Sequence, residues 1–258
     1  MTQDLLYEQK DRVVTLTINR EAKRNAISQE MIQAFHEYLD RADGDDSVRA
    51  VCVTGVGEKA FCSGADLGAT FSGQQNDKTG GPRHYAGLMK RMARFGKPLV
   101  ARVNGPCLAG GIGFMLSCDI VIARNDTFFS TPEVNVGIWP MMIGALIYRN
   151  VSRKKATEMV LTGRRIPAPE AEAMGLITKA VDPADLDRVV AETLDNLASK
   201  SPIGMRIGKE SFRVMSDMPF DEALDYLCDA LLRVAATEDA REGMTAFLEK
   251  RKPEFKGR

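Results

Sequence analysis

Four short apolar runs recur along the first half of the chain, and the segments between them restrict the fold more than any other feature of the sequence. Val13 to Asn19 (VVTLTIN) alternates and is β-branched, Ala50 to Thr54 (AVCVT) and Leu99 to Val103 (LVARV) are short apolar runs, and Ile120 to Ala123 continues the series. Between the first two, Ser28 precedes a segment whose Met31, Ile32, Phe35 and Leu39 fall on one helical face. That spacing predicts a helix with Ser28 as its N-cap. Tyr85 to Phe95 and Gly110 to Ser117 read as further helices, each placed before the next strand. Strand, helix, strand is a crossover unit, so the repetition predicts an α/β core wound from such units. From Ala168 onward the pattern turns helical, with Ala184 to Ala198, Ile203 to Met215, Phe220 to Ala236 and Asp239 to Arg251 separated by Ser201-Pro202 and Met218-Pro219.

Charge and cysteine usage narrow the function classes. Lys plus Arg total 35 and Asp plus Glu total 35, so no global field attracts a polyanion, and nucleic acid is not an expected partner. The five cysteines (Cys52, Cys62, Cys107, Cys118 and Cys228) are odd in number and lack the paired spacing of a zinc site or disulfide framework. A reducing cytoplasm fits that usage. The N-terminus MTQDLLYEQKDRVV has no signal-peptide apolar core, and no apolar stretch reaches the roughly 20 residues of a membrane span. The expectation is a soluble cytoplasmic protein with no membrane partner.

Two glycine-rich turns, Phe61 to Asp66 (FCSGAD) and Gly105 to Gly113 (GPCLAGGIG), each follow a strand-like run, and Glu133 comes after both. Glycines between a strand and a helix leave the N–H groups of Gly110 and Gly111 free at a helix start, where an anion is attracted. They can equally serve tight packing of helix on sheet. A carboxylate facing such donors can move a proton beside a carbonyl while the donors hold the oxygen anion that results, which is enolate chemistry. Gly55 to Ala60 (GVGEKA) also matches the dinucleotide pattern GxGxxG/A, with Asp77 downstream. That pattern requires a long helix to begin inside the glycines, and here the sequence runs on into Phe61-Cys62-Ser63-Gly64.

FCSGADL, ARVNGPCLAGGIG, CDIVIAR, FSTPEVNVGIWP, LTGRRIPAPEAEAMGL and EGMTAFLEKRKPEF, in this order, resemble the crotonase family, whose best-known members are enoyl-CoA hydratases and enoyl-CoA isomerases. The resemblance implies a crotonase-like spiral of ββα units over 1–197 and a C-terminal helical region, 198–258, that assembles trimers, often paired into hexamers. By position, the Ala65 and Gly110 N–H groups resemble the family's oxyanion donors for a thioester carbonyl, and Glu133 its catalytic glutamate. The same resemblance implies coenzyme A contacts from Lys23, Arg24 and the backbone of Ser63 and Ala65, and from Lys250 of a neighbouring subunit. It implies an acyl-CoA substrate and no metal or redox cofactor. Two-glutamate hydratases have a second carboxylate where this chain has Gly113. Overall resemblance therefore favours an enoyl-CoA hydratase, while a single glutamate suits double-bond isomerisation between the 3,4 and 2,3 positions. Some crotonase-fold proteins bind RNA through a lysine-rich helix face, but Ser28 to Ala42 contains no lysine.

Other residues separate less sharply. Leu67 to Arg83 is a polar, glycine-rich segment expected to border the active site. Met141 to Ile147 (MMIGALI) suits an adaptable acyl pocket or ordinary core packing at helical spacing, and Trp139 shares that ambiguity. Asp66 and Asp119 are expected to be structural. His36 and His84 sit in no triad-like setting, so no Ser–His–Asp or metal-ligand constellation is expected.

Overall fold

The computed structural model describes residues 3–65 and 80–258, so Asp66, Asp77 and most of the polar Leu67 to Arg83 segment lie outside the described residues. An antiparallel pair opens the chain, β1 (Leu5–Lys10) and β2 (Val13–Ile18). The sequence does not announce β1, because an edge strand with only Leu5 fully buried shows no alternating apolar face. Helix α1 (Gln29–Gly44) starts as expected, with the Met31 N–H donating to Ser28 Oγ at 3.1 Å. It buries Met31, Ile32, Phe35 and Leu39. Strand β3 (Ala50–Gly55) is buried at every position, as a continuous apolar run demands.

Helix α2 (Gly80–Ala93) begins earlier than the Tyr85 start expected from periodicity. Its Gly-Gly-Pro opening reads as loop, yet a proline is tolerated in a first helical turn. There follow β4 (Leu99–Val103), β5 (Cys107–Leu108), α3 (Gly110–Leu116), β6 (Ile120–Arg124), β7 (Phe128–Ser130) and a 3-10 turn over Pro132–Val136. Next come α4 (Met141–Asn150), α5 (Arg153–Thr162), β8 (Ile166–Pro167), α6 (Ala168–Ala173) and β9 (Lys179–Val181). Strand β9 interrupts the stretch read from sequence as helical from Ala168 onward; three residues are too few for a period to show.

The strands form a six-stranded sheet in the order β1-β2-β3-β4-β6-β9, parallel beyond the first pair, and a three-stranded sheet in the order β5-β7-β8. Alternate residues of the large sheet feed two apolar clusters. Val51, Val53, Leu99 and Ala101 face the main core with Phe35 and Phe114. Ala50, Cys52, Val100 and Ile122 meet Leu186, Val190 and Leu194 of α7 (Leu186–Ala198).

Helices α8 (Pro202–Met215), α9 (Phe220–Ala235) and α10 (Glu238–Leu248) complete the chain. Asp119 ties α8 to the sheet, accepting from the Leu99 N–H at 2.7 Å and from Lys209 Nζ at 2.5 Å, the structural role expected of it. These helices leave large apolar side chains in solvent, Phe247 82%, Leu248 80% and Phe220 75% exposed.

One polar side chain fixes the loop that leads into α1. Asn25 is fully buried; its Nδ2 donates to the carbonyls of Val56 at 3.1 Å and Ala60 at 2.7 Å, and its Oδ1 accepts from the Arg20 N–H at 3.1 Å. Its backbone is left-handed, φ 55°, a conformation asparagine tolerates better than most residues. Asn25→Ala removes the partners of two buried carbonyls and one N–H and should destabilise the fold by about 3 kcal/mol. A urea denaturation midpoint compared with wild type checks this.

Candidate active site

Three chain segments run side by side and end at the same place. The Phe61 N–H donates to the Pro106 carbonyl at 3.0 Å and the Leu108 N–H to the Cys62 carbonyl at 2.9 Å, and Cys62 pairs with Cys107 as a parallel bridge. Strand β5 in turn pairs in parallel with β7, Cys107 with Phe129 and Leu108 with Ser130. Phe61, Cys62, Cys107 and Phe129 are all fully buried, so the pairing is held by apolar packing as well as by its hydrogen bonds. Beyond the paired stretch the segments continue into Ala65, Gly110 and Glu133. The free space past the carboxyl ends of parallel strands is where α/β proteins place ligands.

Each turn is built from specific residues. Gly64 has φ 90°, and a Cβ on it would lie 2.7 Å from Ala109 Cβ and 3.1 Å from the Gly110 nitrogen, so glycine there lets the two turns touch. The Ile27 N–H donates to the Gly64 carbonyl at 2.8 Å, the Ser63 N–H to the Arg24 carbonyl at 3.2 Å and Ser63 Oγ to the Lys23 carbonyl at 3.5 Å. The segment carrying Lys23 and Arg24 therefore braces the Ala65 turn, and both of those side chains are exposed. Lys250 is exposed in a left-handed turn just past the last helix, and among the described residues it makes no hydrogen bond to this cluster. Gly111 serves close packing, since a Cβ there would lie 2.5 Å from the Cys62 carbonyl oxygen.

Ala109, which the sequence did not single out, has φ 48° and ψ −128°, a region that L-residues rarely occupy and that costs on the order of 1–3 kcal/mol. Its N–H donates to the Ser130 carbonyl at 3.0 Å, which anchors the strained residue to β7. The torsion sets the direction of the Ala109–Gly110 peptide and hence of the Gly110 N–H. Among the described residues, neither the Ala65 nor the Gly110 N–H donates to a backbone carbonyl.

Glu133 lies in the 3-10 turn three residues beyond Ser130. Ser130 Oγ donates to the Gly163 carbonyl at 2.8 Å and Thr131 Oγ1 to the Met159 carbonyl at 3.0 Å, so both hydroxyls clamp the approach to the turn against α5 and its exit. Glu133 Oε2 is buried, with no hydrogen-bond partner among the described residues. Burial pushes the carboxyl pKa above 4.5, with its own backbone N–H acting weakly in the other direction. A carboxylate left unsatisfied in a native site is costly, and such groups mark places where a ligand supplies the missing partner.

Gly113 faces the same space and has no room for a side chain. A Cβ on it would collide with the Tyr85 hydroxyl and come within 2.8 Å of Met89 Sδ and 2.9 Å of Ile143 Cγ2. Tyr85, on α2 and almost wholly buried, donates its hydroxyl to the Gly110 carbonyl and packs its ring on Phe114 at 5.4 Å between centroids. Of the apolar run after Pro140, Ile143 and Ile147 enter the core, whereas Met141 is 71% exposed, and Trp139, before the proline, is 47% exposed. Core packing thus holds for Ile143 and Ile147. Gly55 to Ala60 starts no helix, which removes the dinucleotide reading. Among the described residues no group of three or more His, Cys, Asp or Glu is arranged to hold a metal ion, and no helix is long and apolar enough to cross a membrane.

Two outcomes check this geometry. Gly110 begins α3 and its N–H has no intrahelical partner, so Gly110→Pro should keep the fold yet lower kcat by about 10²–10³ if that N–H acts on the substrate. Gly110→Ala retains the donor, adds a Cβ 3.0 Å from Ile27 Cδ1 and should lose much less; steady-state kinetics with circular dichroism on both variants decides. For Glu133, a folded pKa above the unfolded value means its contribution to stability is fully present below the unfolded pKa and lost as pH rises through the folded one. Glu133→Gln should therefore exceed wild type in urea midpoint near pH 7, with the difference vanishing at about pH 4.

Comparison with known proteins agrees with the geometry throughout the chain. The family model described as Enoyl-CoA hydratase/isomerase matches residues 8–258. The chain is 35% identical to the 2,3-dehydroadipyl-CoA hydratase of Escherichia coli (strain K12), over 99% of each chain. It is 32% identical to the short-chain-enoyl-CoA hydratase of Clostridium acetobutylicum, covering 99% of this chain and 98% of that protein. The crystal structure of an enoyl-CoA hydratase from Mycobacterium smegmatis superposes with a TM-score of 0.93 at 32% identity, covering 98% of this chain and 99% of that one. The two-sheet α/β architecture is thus the crotonase fold expected from the motifs, and this chain belongs to the enoyl-CoA hydratase/isomerase family.

Proposed function

We propose that this protein is an enoyl-CoA hydratase, adding water reversibly across the double bond of a 2-enoyl-CoA thioester. The observation that carries the reading is the buried Glu133 Oε2, without a partner among the described residues, at the end of the same paired segments that lead to Ala65 and Gly110. In this reading the Ala65 and Gly110 N–H groups donate to the thioester carbonyl oxygen as it becomes an enolate oxygen, and each preorganised donor is worth about 3–4 kcal/mol of barrier. Glu133 takes a proton from water and returns it to carbon, for which a carboxylate with a raised pKa is suited. The hydratases among the relatives support the same assignment.

Coenzyme A would lie over the Ser63–Ala65 turn, its phosphates within reach of the exposed Lys23 and Arg24 side chains. Lys250 joins them only from a second subunit. We assign assembly, as a trimer or a pair of trimers, to the 198–258 helices, because Phe220, Phe247 and Leu248 there are exposed and apolar. The five free cysteines suit a reducing cytoplasm.

A second reading has its own observation. Gly113 brings no second carboxylate at its position, and one base with two oxyanion donors suffices to move a double bond from the 3,4 to the 2,3 position. Loss of conjugated thioester absorbance on adding a short trans-2-enoyl-CoA, absent with Glu133→Ala, is the outcome that hydration predicts. Its kcat/KM should rise with pH through one ionisation above 4.5, that of Glu133 in the free enzyme. No loss of absorbance, together with conversion of a 3-enoyl-CoA into the conjugated product, decides for isomerisation.

A further inference from the structure

Adding water across a double bond requires the water to be held through both of its hydrogens: one proton leaves as oxygen attacks C3, and the other O–H must be kept from rotating. Glu133 can accept the first. Among the described residues the Tyr85 hydroxyl is a polar group at the Gly110 turn: it stands where a side chain of residue 113 would project, 3.6 Å from where a Cβ on Gly110 would lie. Its own hydrogen is committed to the Gly110 carbonyl, so the oxygen lone pairs are what remain to face the pocket. We infer that Tyr85 is the water-positioning residue of this site: its hydroxyl oxygen accepts a hydrogen bond from the attacking water while its own O–H goes on donating to the Gly110 carbonyl. This inference rests on the hydratase reading and deepens it.

The arrangement assigns distinct duties to the two groups. Burial, with added effect from Cys62, Cys107 and Glu133, raises the Tyr85 pKa well above 10, so the phenol remains neutral and takes no proton from water. Glu133 alone is the base. As the water oxygen bonds to C3, its O–H electrons stay with oxygen and its proton passes to Glu133, while the C2=C3 π pair moves into the enolate held by the two N–H groups. The protonated Glu133 then gives that same proton to C2, the enolate collapses to the thioester, and Glu133 returns to its starting form. Tyr85 gains and loses nothing in this cycle. Its position is fixed by the ring contact with Phe114 and by Met89 from the same helix, both packed in the main core. Met89 and Ile143 close off the remaining space at Gly113, so no larger group enters from that side.

The test uses Tyr85→Phe, which keeps the ring and removes the hydroxyl, and compares two reactions of the same enzyme. Hydration of a 2-enoyl-CoA needs the positioned water; exchange of the C2 protons of a saturated acyl-CoA in D2O needs only Glu133 and the oxyanion donors. The expected result is a fall of about 10- to 100-fold in kcat for hydration with KM within about twofold, and proton exchange within about threefold of wild type. Unchanged or faster hydration overturns the inference, as does an equal fall in both reactions, which a merely structural role would produce. If the wild-type enzyme exchanges C2 protons but adds no water, the hydratase reading itself fails, a result separate from any effect of Tyr85→Phe.

Discussion

The site depends on the parallel pairing of three short segments. Phe61–Cys62, Cys107–Leu108 and Phe129–Ser130 lie in adjacent register, and side chains that are fully buried lock them together. Parallel register is what makes their continuations, which lead to Ala65, Gly110 and Glu133, emerge in one direction from segments more than twenty residues apart in sequence. A one-residue slip in any of the three pairings would turn each side chain to the opposite face and separate the groups. The surrounding structure serves this register: Asn25 holds the loop that braces the Ala65 turn, and the Ser130 carbonyl restrains Ala109 in a torsion it would not adopt alone.

Stability is sacrificed at a few points in return for preorganisation. Ala109 sits in an unfavourable backbone region, and Glu133 keeps a carboxylate oxygen buried without a partner among the described residues. Each would relax in a smaller or looser fold. Both are flanked by anchors that cannot relax easily, the hydroxyls of Ser130 and Thr131 on one side and the buried helix α3 on the other. A strained backbone residue and a buried carboxylate oxygen brought together beside two glycine-rich turns are the kind of local rule-breaking expected of a functional centre.

Much of this was legible in the residues, and the exceptions have physical causes. The strands β2, β3, β4 and β6 and the helix after Ser28 follow from periodicity and capping alone. Strands β5, β7 and β8 are two or three residues long, too short to show a period, yet they build the site. Family motifs drew attention to Ala65, Gly110 and Glu133, but not to Tyr85, which shares a helical face with Leu88, Met89 and Met92 and looks like any core aromatic. The available signal was negative: a glycine inside a helix at position 113 asks what fills the space its side chain leaves. Ala109 gave no signal, since nothing in an alanine betrays a positive φ. The exposed Met141 and the buried Ile143 lie in one helix, so that run needed the tertiary structure to be divided.

In the proposed reaction the paired segments present the Ala65 and Gly110 N–H groups to one oxygen atom, with Glu133 beside the reacting carbons. A crystal structure of the protein with a non-hydrolysable acyl-CoA analogue measures it directly. The carbonyl oxygen should lie roughly 2.7–3.1 Å from both nitrogens, with the Glu133 carboxylate next to C2 and C3. A thioester bound with its carbonyl away from either N–H, or with Glu133 turned from the acyl chain, would contradict it.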